Sequence, residues 1–159
     1  MLKDKIKGRQ ELKKIIRNLK KRGKSTVFTN GCFDLLHYGH VKYLEDAKNK
    51  GDVLIVGVNS DASVRRIKGH KRPLVTEKDR LSIIAALQSV DYVVKFDEDT
   101  PLKVITELRP DILIKGADWA KKDIVGNDIV SGYGGRVSAL KLVKGRSTTN
   151  LINKIARRF

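Results

Sequence analysis

Long apolar runs are absent from this chain of 159 residues, and cysteine occurs once. Because Cys32 has no second cysteine to pair with, an intramolecular disulfide is excluded and a reducing compartment is expected. The lysine-rich start lacks the apolar stretch of a signal peptide, and no segment predicts a membrane span. We therefore expect a cytoplasmic protein with no membrane insertion. A hydrophobic content of 40% and this length suit a single core.

Acidic residues are also scarce. The chain has 18 Asp and Glu against 34 Lys and Arg, a formal net charge of +16. More than half of that excess lies in residues 1–24, where four apolar residues recur at helical spacing: Leu12, Ile15, Ile16 and Leu19. This pattern predicts a basic amphipathic helix. We accordingly expect a helical extension, residues 1–24, followed by a main domain, residues 25–159.

The basic extension raises the question of a polyanionic partner. Aromatic residues make up 6% of the chain, few lie near the basic runs, and no recognisable nucleic-acid-binding motif is present. We therefore expect no nucleic-acid partner. Attraction to an anionic membrane surface and steering of anionic substrates remain open as roles for the charge.

Apolar periodicity predicts alternating strands and helices. The strands are expected near residues 26–29, 53–58, 91–95, 111–115 and 136–140. The helices are expected near residues 9–22, 40–49, 61–67, 77–88, 101–108 and 148–157. This alternation predicts an α/β fold, a doubly wound parallel sheet of about five strands with helices on both faces. In such sheets a ligand binds beyond the carboxyl ends of the strands, where the strand order reverses.

Two of the three histidines, His37 and His40, lie where the first predicted strand is followed by a helix. Asn30-Gly31 is a turn-forming pair, and residues three apart share one face of a helix. The free N–H groups and the positive dipole end of that helix point the same way, which suits a bound phosphate. Gly31 and Gly39 would let a ligand approach the backbone closely. Two histidines without a third ligand at a recognisable spacing make a poor zinc site.

The segment Gly31-Cys32-Phe33-Asp34-Leu35-Leu36-His37-Tyr38-Gly39-His40 resembles the HxGH signature of the nucleotidyltransferase superfamily, which includes cytidylyltransferases and small adenylyltransferases. Further segments are similar, in the same order, to the heptose 1-phosphate adenylyltransferase branch: residues 59–64, 68–69, 72–73, 90–94, 99–101, 109–111, 115–119 and 145–150. The resemblance runs from about Lys24 to about Ile155. This branch also occurs fused to a kinase, and because no kinase half is present, the resemblance implies the stand-alone form.

The resemblance implies a Rossmann-like fold and direct in-line transfer of AMP from ATP to a heptose 1-phosphate, with magnesium held mainly by the phosphates. His37 and His40 would donate hydrogen bonds to phosphate oxygens as charge builds in the transition state. Lys42, two residues further on, is the third catalytic candidate, or else an exposed helix lysine. Homodimers are usual among the relatives, so we expect a homodimer whose small-molecule partners are ATP and a sugar 1-phosphate.

Nucleotide contacts are expected from three segments, after the first strand, after the fourth strand and at the start of the last helix. They are Thr29, Asn30, Gly31, Cys32, Phe33, Gly39 and His40, then Lys115, Gly116, Asp118 and Trp119, then Ser147, Thr148 and Thr149. Trp119 suits stacking on a nucleobase, although a core tryptophan is equally consistent with the sequence. The three hydroxyl residues offer a helix cap and contacts for the triphosphate. Cys32 has no evident base beside it and is interpreted as a small packing residue rather than a nucleophile.

The acceptor side is assigned to five charged residues: Asp34, Asp61, Lys68, Arg72 and Arg80. Asp34 and Asp61 suit the sugar or magnesium, and Asp34 could instead hold its turn through backbone hydrogen bonds. Lys68 and Arg72 belong to a basic loop that could fold over the acceptor phosphate. Arg80 matches a family arginine that contacts phosphate, or it simply covers the surface of its helix.

Three residues depart from the related patterns. Glycerol 3-phosphate cytidylyltransferases usually carry arginine where this chain has Leu142 and Gln88, which counts against CTP. Lys144 stands where the heptose enzymes commonly have an acidic residue. The enzymatic alternative keeps the fold and changes the acceptor, to glycerol 3-phosphate with CTP, a flavin phosphate or another heptose anomer. The alternative from another class is a basic module that binds nucleic acid or a membrane surface without catalysis.

Overall fold

A computed structural model describes residues 1–116 and 123–159 of the chain. Within them, five strands form one sheet in the order β3-β2-β1-β4-β5. The strands are β1 Thr26–Gly31, β2 Val53–Asn59, β3 Tyr92–Phe96, β4 Ile112–Gly116 and β5 Arg136–Leu140. All neighbouring strands run parallel. The predicted α/β, Rossmann-like parallel sheet is therefore confirmed.

Eight helices occur in the described parts of the chain. They are α1 Leu2–Lys5, α2 Arg9–Lys21, α3 Tyr38–Lys48, α4 Asp61–Lys68, α5 Glu77–Ala86, α6 Leu102–Leu108, α7 Asn127–Gly132 and α8 Thr148–Ala156. The periodicity does not predict α1 and α7, which span four and six residues and are too short for a clear apolar repeat. None of the helices described here is long and apolar enough to cross a membrane.

The sheet separates two apolar cores. Val27 of β1 and Leu54 of β2 pack on one face with residues of α3 and α5. Their neighbours in sequence, Phe28 and Ile55, pack on the other face with residues of α2, α6 and α7. Because successive side chains of a strand point to opposite faces, this alternation places helices over both sides of the sheet.

The basic N-terminal helix α2 belongs to the second core. Leu12 is 0% exposed, and both Leu12 and Ile16 pack with Phe28 of β1. Arg9 adds an ion pair with Glu98, at 2.5 Å between Nη2 and Oε2. The predicted amphipathic helix is confirmed, with its apolar stripe on the sheet and most of its basic side chains in water. The division of the chain at residue 24 stays a prediction.

The strand order reverses beside β1. β2 and β3 lie on one side of β1, whereas β4 and β5 lie on the other. Such a reversal leaves an opening at the carboxyl ends of the two strands that flank it, here β1 and β4. The turn after β1 and the end of β4 therefore border the same space.

Shortening Leu12 should destabilise the whole domain, because this buried side chain joins α2 to the sheet. We expect Leu12→Ala to lower the free energy of unfolding by about 2–5 kcal/mol, the usual range for such core substitutions. Chemical denaturation followed by circular dichroism measures it. The exposed neighbour Lys13 provides a control, since Lys13→Ala should change stability by less than about 0.5 kcal/mol. Unchanged stability in Leu12→Ala would show that α2 is dispensable to the fold.

Candidate active site

The turn between β1 and α3, residues 32–37, is the histidine turn: His37 ends it, and His40 lies in the first turn of α3. Within it Phe33 has a φ of +50°, a left-handed conformation that costs roughly 1–3 kcal/mol for a residue with a side chain. His37 is the N-cap residue of α3, but its side chain makes no capping hydrogen bond. Its imidazole is therefore not used by the helix backbone.

The two imidazoles stack on each other. Their ring centroids are 3.9 Å apart with the planes inclined at 23°, and the Phe33 and His40 rings meet edge to face with centroids 5.4 Å apart. Nδ1 of His37, Nδ1 of His40 and Oδ1 of Asn30 are the buried side-chain polar atoms without a hydrogen-bond partner in the described residues. An unpaired buried polar group costs about 1–3 kcal/mol. Three of them together indicate a ligand site.

Both imidazoles are uncharged near neutral pH. Burial lowers the pKa of His40 to about 4, with the neighbouring His37 as the second cause. Burial also lowers the pKa of His37, and the positive charge of Arg146 lowers it further. A neutral imidazole still donates one N–H hydrogen bond, and it can take up a proton when negative charge arrives.

A cleft of about 320 Å³ opens beside the histidine pair. Many residues predicted to bind nucleotide line it: Asn30, Gly31, Cys32, Phe33, Gly39, His40, Lys115, Gly116, Ser147 and Thr148. They come from the ends of β1 and β4, the start of α3 and the start of α8. The cleft therefore occupies the opening at the reversal of strand order, and its size suits a small-molecule ligand.

Two other predicted nucleotide contacts, Thr29 and Thr149, are not part of the described lining of the cleft. Thr29 is buried, and its hydroxyl is hydrogen-bonded to the Tyr43 hydroxyl at 2.8 Å. Thr149 is exposed on α8. Asp118 and Trp119 fall outside the described residues. Thr29 therefore shapes the cleft through Tyr43, which lines it.

The N-terminus of α8 lies against the histidine turn. Ser147 caps the helix, its Oγ accepting the Asn150 N–H at 3.0 Å. The Thr148 hydroxyl donates to the Leu35 carbonyl oxygen at 3.2 Å. The first N–H groups of a helix have no partner within the helix, and they carry the positive end of its dipole. The cleft therefore combines an electropositive helix end with the neighbouring neutral imidazoles.

Four lining residues are not among the site residues predicted from the sequence: Tyr43, Leu142, Val143 and Arg146. The sequence could have indicated Arg146 as a site residue, because a basic residue directly before a hydroxyl-rich helix start suits a phosphate. Tyr43 follows His40 by three residues on α3 and so shares its face. Leu142 comes into the cleft by packing on Gly116, where a Cβ would lie 3.2 Å from its methyl carbons, and no local pattern predicts that contact.

Lys42 lies away from the histidines. Its ammonium pairs with Asp46, four residues further along α3. It borders a separate depression together with Gln88 and Ser89. This placement favours the interpretation of Lys42 as an exposed helix lysine over its assignment as a third catalytic residue.

Asp34 is buried and fully engaged. Its carboxylate accepts the Leu74 and Val75 N–H groups at 2.8 and 2.9 Å and pairs with the Arg72 guanidinium. This is the turn-holding role that the sequence left open for Asp34. The same bonds leave its oxygens little capacity for a sugar or for magnesium.

Arg80 and Asp61 pair with each other at 2.8 Å, with the Arg80 side chain 0% exposed. Arg80 therefore does not cover the surface of its helix. Lys68 is exposed at the end of α4. The described lining of the cleft includes none of these three residues, so direct substrate contact by any of them stays a prediction.

Comparison with known proteins shows the family of this chain. The sequence model of the cytidylyltransferase-like family matches residues 28–151. Two curated relatives, each called Bifunctional protein HldE, match 98% of this chain: the protein of Syntrophotalea carbinolica with 57% identity and that of Geobacter metallireducens with 59% identity. The chain spans 32% of the length of each of these relatives.

A solved structure is also similar. The crystal structure of the lipopolysaccharide core biosynthesis protein from Thermoplasma volcanium matches with a TM-score of 0.62 and 31% identity, over 78% of this chain and all of that one. The family match runs from β1 into α8 and so includes the histidine turn and the described lining of the cleft. The chain belongs to the cytidylyltransferase-like family and is a nucleotidyltransferase.

Proposed function

We propose that this nucleotidyltransferase transfers AMP from ATP to D-glycero-β-D-manno-heptose 1-phosphate, giving ADP-heptose and pyrophosphate. The ordered motifs between residues 59 and 150 support the heptose acceptor. The relatives named Bifunctional protein HldE and the lipopolysaccharide core biosynthesis protein are consistent with a sugar phosphate. We further propose that the protein acts in the cytoplasm as a homodimer.

The convergence of Asn30, His37 and His40 on one cleft carries the proposal. Each has a buried polar atom without a hydrogen-bond partner among residues 1–116 and 123–159, and phosphate oxygens and ribose hydroxyls are the groups that would pair with them. The imidazole N–H groups suit the oxygens of the α-phosphate, whereas the Asn30 oxygen suits a hydroxyl or amino donor of the nucleoside. Desolvation strengthens each of these bonds, because the local dielectric is low.

The β- and γ-phosphates are assigned to the α8 side of the cleft. The helix start offers N–H groups and a positive dipole end, and Arg146 adds a positive charge beside them. Lys115, at the end of β4, offers a second cation in the lining of the cleft. Both side chains would neutralise charge that pyrophosphate carries away as it leaves.

The transfer needs no covalent enzyme intermediate. An acceptor phosphate oxygen attacks the α-phosphorus in line, and the bond from that phosphorus to the bridging oxygen of pyrophosphate breaks. Burial raises the pKa of the Cys32 thiol, so this lining residue stays protonated and is a poor nucleophile. Catalysis therefore comes from positioning and from hydrogen bonds that strengthen in the transition state.

Magnesium would reach this cleft on the triphosphate oxygens and neutralise part of their charge. The described lining contains no carboxylate, and residues 1–116 and 123–159 contain no cluster of three metal-binding side chains. Phosphate oxygens are the ligands that magnesium prefers to combine with one or two carboxylates and water. The chain's own contribution here is the set of N–H donors and cations around the phosphates.

Adenine is favoured over cytosine by one wall of the cleft. Leu142 lines the cleft at a position where glycerol 3-phosphate cytidylyltransferases usually carry arginine. An apolar side chain offers contact area and no hydrogen bond, which suits the larger purine ring more than a pyrimidine.

Pyrophosphate release tests the proposed substrates. The purified protein with magnesium is offered ATP or CTP, each against D-glycero-β-D-manno-heptose 1-phosphate, its α anomer and glycerol 3-phosphate. We expect release with ATP and the β-heptose phosphate only. Release with CTP or with another acceptor alone would keep the family and overturn the substrate. Silence with every pair would support a binding module without catalysis.

The same assay tests the histidines. His37→Ala and His40→Ala should each lower kcat by about 10²–10³-fold, the usual loss when one transition-state hydrogen-bond donor is removed. Thermal unfolding checks that each variant is folded. Full turnover in both variants would exclude the histidine pair from the chemistry.

A side chain at Gly39 should displace His37, because a Cβ there would lie 3.0 Å from two His37 ring atoms and 3.1 Å from the Arg146 Cβ. Moving that imidazole should cost about tenfold or more in kcat for Gly39→Ala. Gly132→Ala is the matched control, since a Cβ at Gly132 meets nothing within 4 Å. Equal activity in the two variants would contradict the assigned position of His37.

ATP binding should show a pH dependence that passes through His40. Its pKa of about 4 in the free protein should rise when phosphate brings negative charge beside the ring. The bound state then holds a proton that the free state releases, so affinity for ATP should increase as pH falls toward about 5. Calorimetry with a non-hydrolysable ATP analogue measures this, and the ratio of wild-type to His40→Gln affinity removes the titration of ATP itself. A ratio that is constant with pH would show that His40 stays neutral in the complex.

A further inference from the structure

Arg80 is the largest fully buried side chain among the described residues. Its Nε donates to the Val75 carbonyl oxygen at 2.9 Å. Its Nη1 donates to the carbonyl oxygens of Cys32 and Asn59, at 2.6 and 2.8 Å. Its Nη2 donates to Asp61 Oδ1 at 2.8 Å. Four of the five guanidinium N–H groups are therefore used.

These bonds join the ends of two strands to a loop. Cys32 follows β1 directly, and Asn59 is the last residue of β2. Val75 belongs to the loop between α4 and α5. A buried cation is unfavourable unless its hydrogen bonds are made. The three carbonyl groups that accept from Arg80 are therefore held in fixed positions relative to one another.

The Cys32 carbonyl group connects Arg80 to the segment that carries the histidines. It precedes Phe33, whose left-handed backbone turns the chain and whose ring lies against His40. Asp34 secures the other side of this residue through the Leu74 and Val75 N–H groups. The strained residue thus lies between two bonded neighbours: the Cys32 carbonyl accepts from Arg80 of α5, and Asp34 accepts from the loop residues Leu74 and Val75.

We propose that Arg80 is a positioning residue for adenylyl transfer: it holds the histidine turn through the Cys32 carbonyl and does not itself contact phosphate. The proposal rests on the proposed function. It differs from the role that the sequence resemblance implies, a direct phosphate contact. Arg80 is absent from the described lining of the cleft and keeps one N–H group to offer a ligand.

The expected consequence of losing Arg80 follows from the strain at Phe33. Without a donor for the Cys32 carbonyl, the left-handed conformation loses one of its restraints, and the Phe33 ring moves relative to His40. A displacement of about 1 Å in a catalytic group can cost about 10²-fold in rate. The loss should appear in kcat, because the histidines act on charge that develops in the transition state.

Arg80→Met tests this, with Arg66→Met as the matched control. Arg66 also donates to a carboxylate, that of Asp99 at 2.6 Å, and to a backbone carbonyl, that of Asp97, but it lies on the exposed side of α4. We expect Arg80→Met to lower kcat about tenfold or more while KM for ATP changes less than about threefold. We expect Arg66→Met to keep both values.

Imidazole NMR supplies a readout that does not depend on turnover. The chain contains three histidines, so the signals of His37 and His40 can be assigned from the His37→Ala and His40→Ala spectra. In Arg80→Met these two signals should shift and the His40 pKa should rise from about 4 toward its ordinary value, because the ring becomes more hydrated. In Arg66→Met they should stay in place.

Two results would overturn the proposal. Unchanged imidazole signals with kcat within about twofold of wild type would show that Arg80 has only a structural role. A large rise in KM for ATP with kcat preserved would show a direct phosphate contact. If Arg80→Met does not fold, Arg80→Lys replaces it. This variant keeps the charge and loses the planar pair of donors, and the same two criteria apply to it.

If the wild type shows no turnover, the proposed function fails. The NMR comparison still decides whether Arg80 positions the histidines.

Discussion

The left-handed backbone of Phe33 is the constraint on which the site depends. A residue with a side chain is unfavourable in this conformation, so the surrounding bonds have to impose it. Arg80 bonds to the carbonyl group on one side of Phe33 and Asp34 bonds to the loop on the other. This conformation reverses the chain and brings the Phe33 ring against His40. The geometry of the two stacked histidines thus depends on a buried ion network that lies outside the described lining of the cleft.

Desolvation sets the charge of the cleft. Burial lowers the pKa values of His37, His40 and Lys115 and raises that of Cys32, so each shift favours the uncharged form. A multiply charged phosphate reverses this preference for the bases, because its field stabilises their protonated forms. A bound phosphate would thus favour protonation of the two imidazoles, and a protonated imidazole is the stronger hydrogen-bond donor.

The sequence predicts the fold well because its elements are local patterns. Periodicity locates β1 and the amphipathic α2, and the spacing of His37 and His40 locates the cleft. The role of Arg80 could not be predicted in this way, since its four acceptors come from separate segments that only the folded sheet brings together. Lys42 shows that nearness in sequence can also mislead. It is two residues from His40, yet the helical geometry of α3 directs its side chain toward Asp46.

The loop between α4 and α5, residues 69–76, is fixed by its backbone rather than by most of its side chains. Asp34 accepts the N–H groups of Leu74 and Val75, and Arg80 donates to the Val75 carbonyl oxygen. Any residue except proline offers the two N–H groups, so Leu74, which is 55% exposed, can be replaced without loss of these bonds. The bonds that hold the histidine turn therefore do not depend on the exposed side chains of this loop. Those side chains can be exchanged while the turn keeps its position.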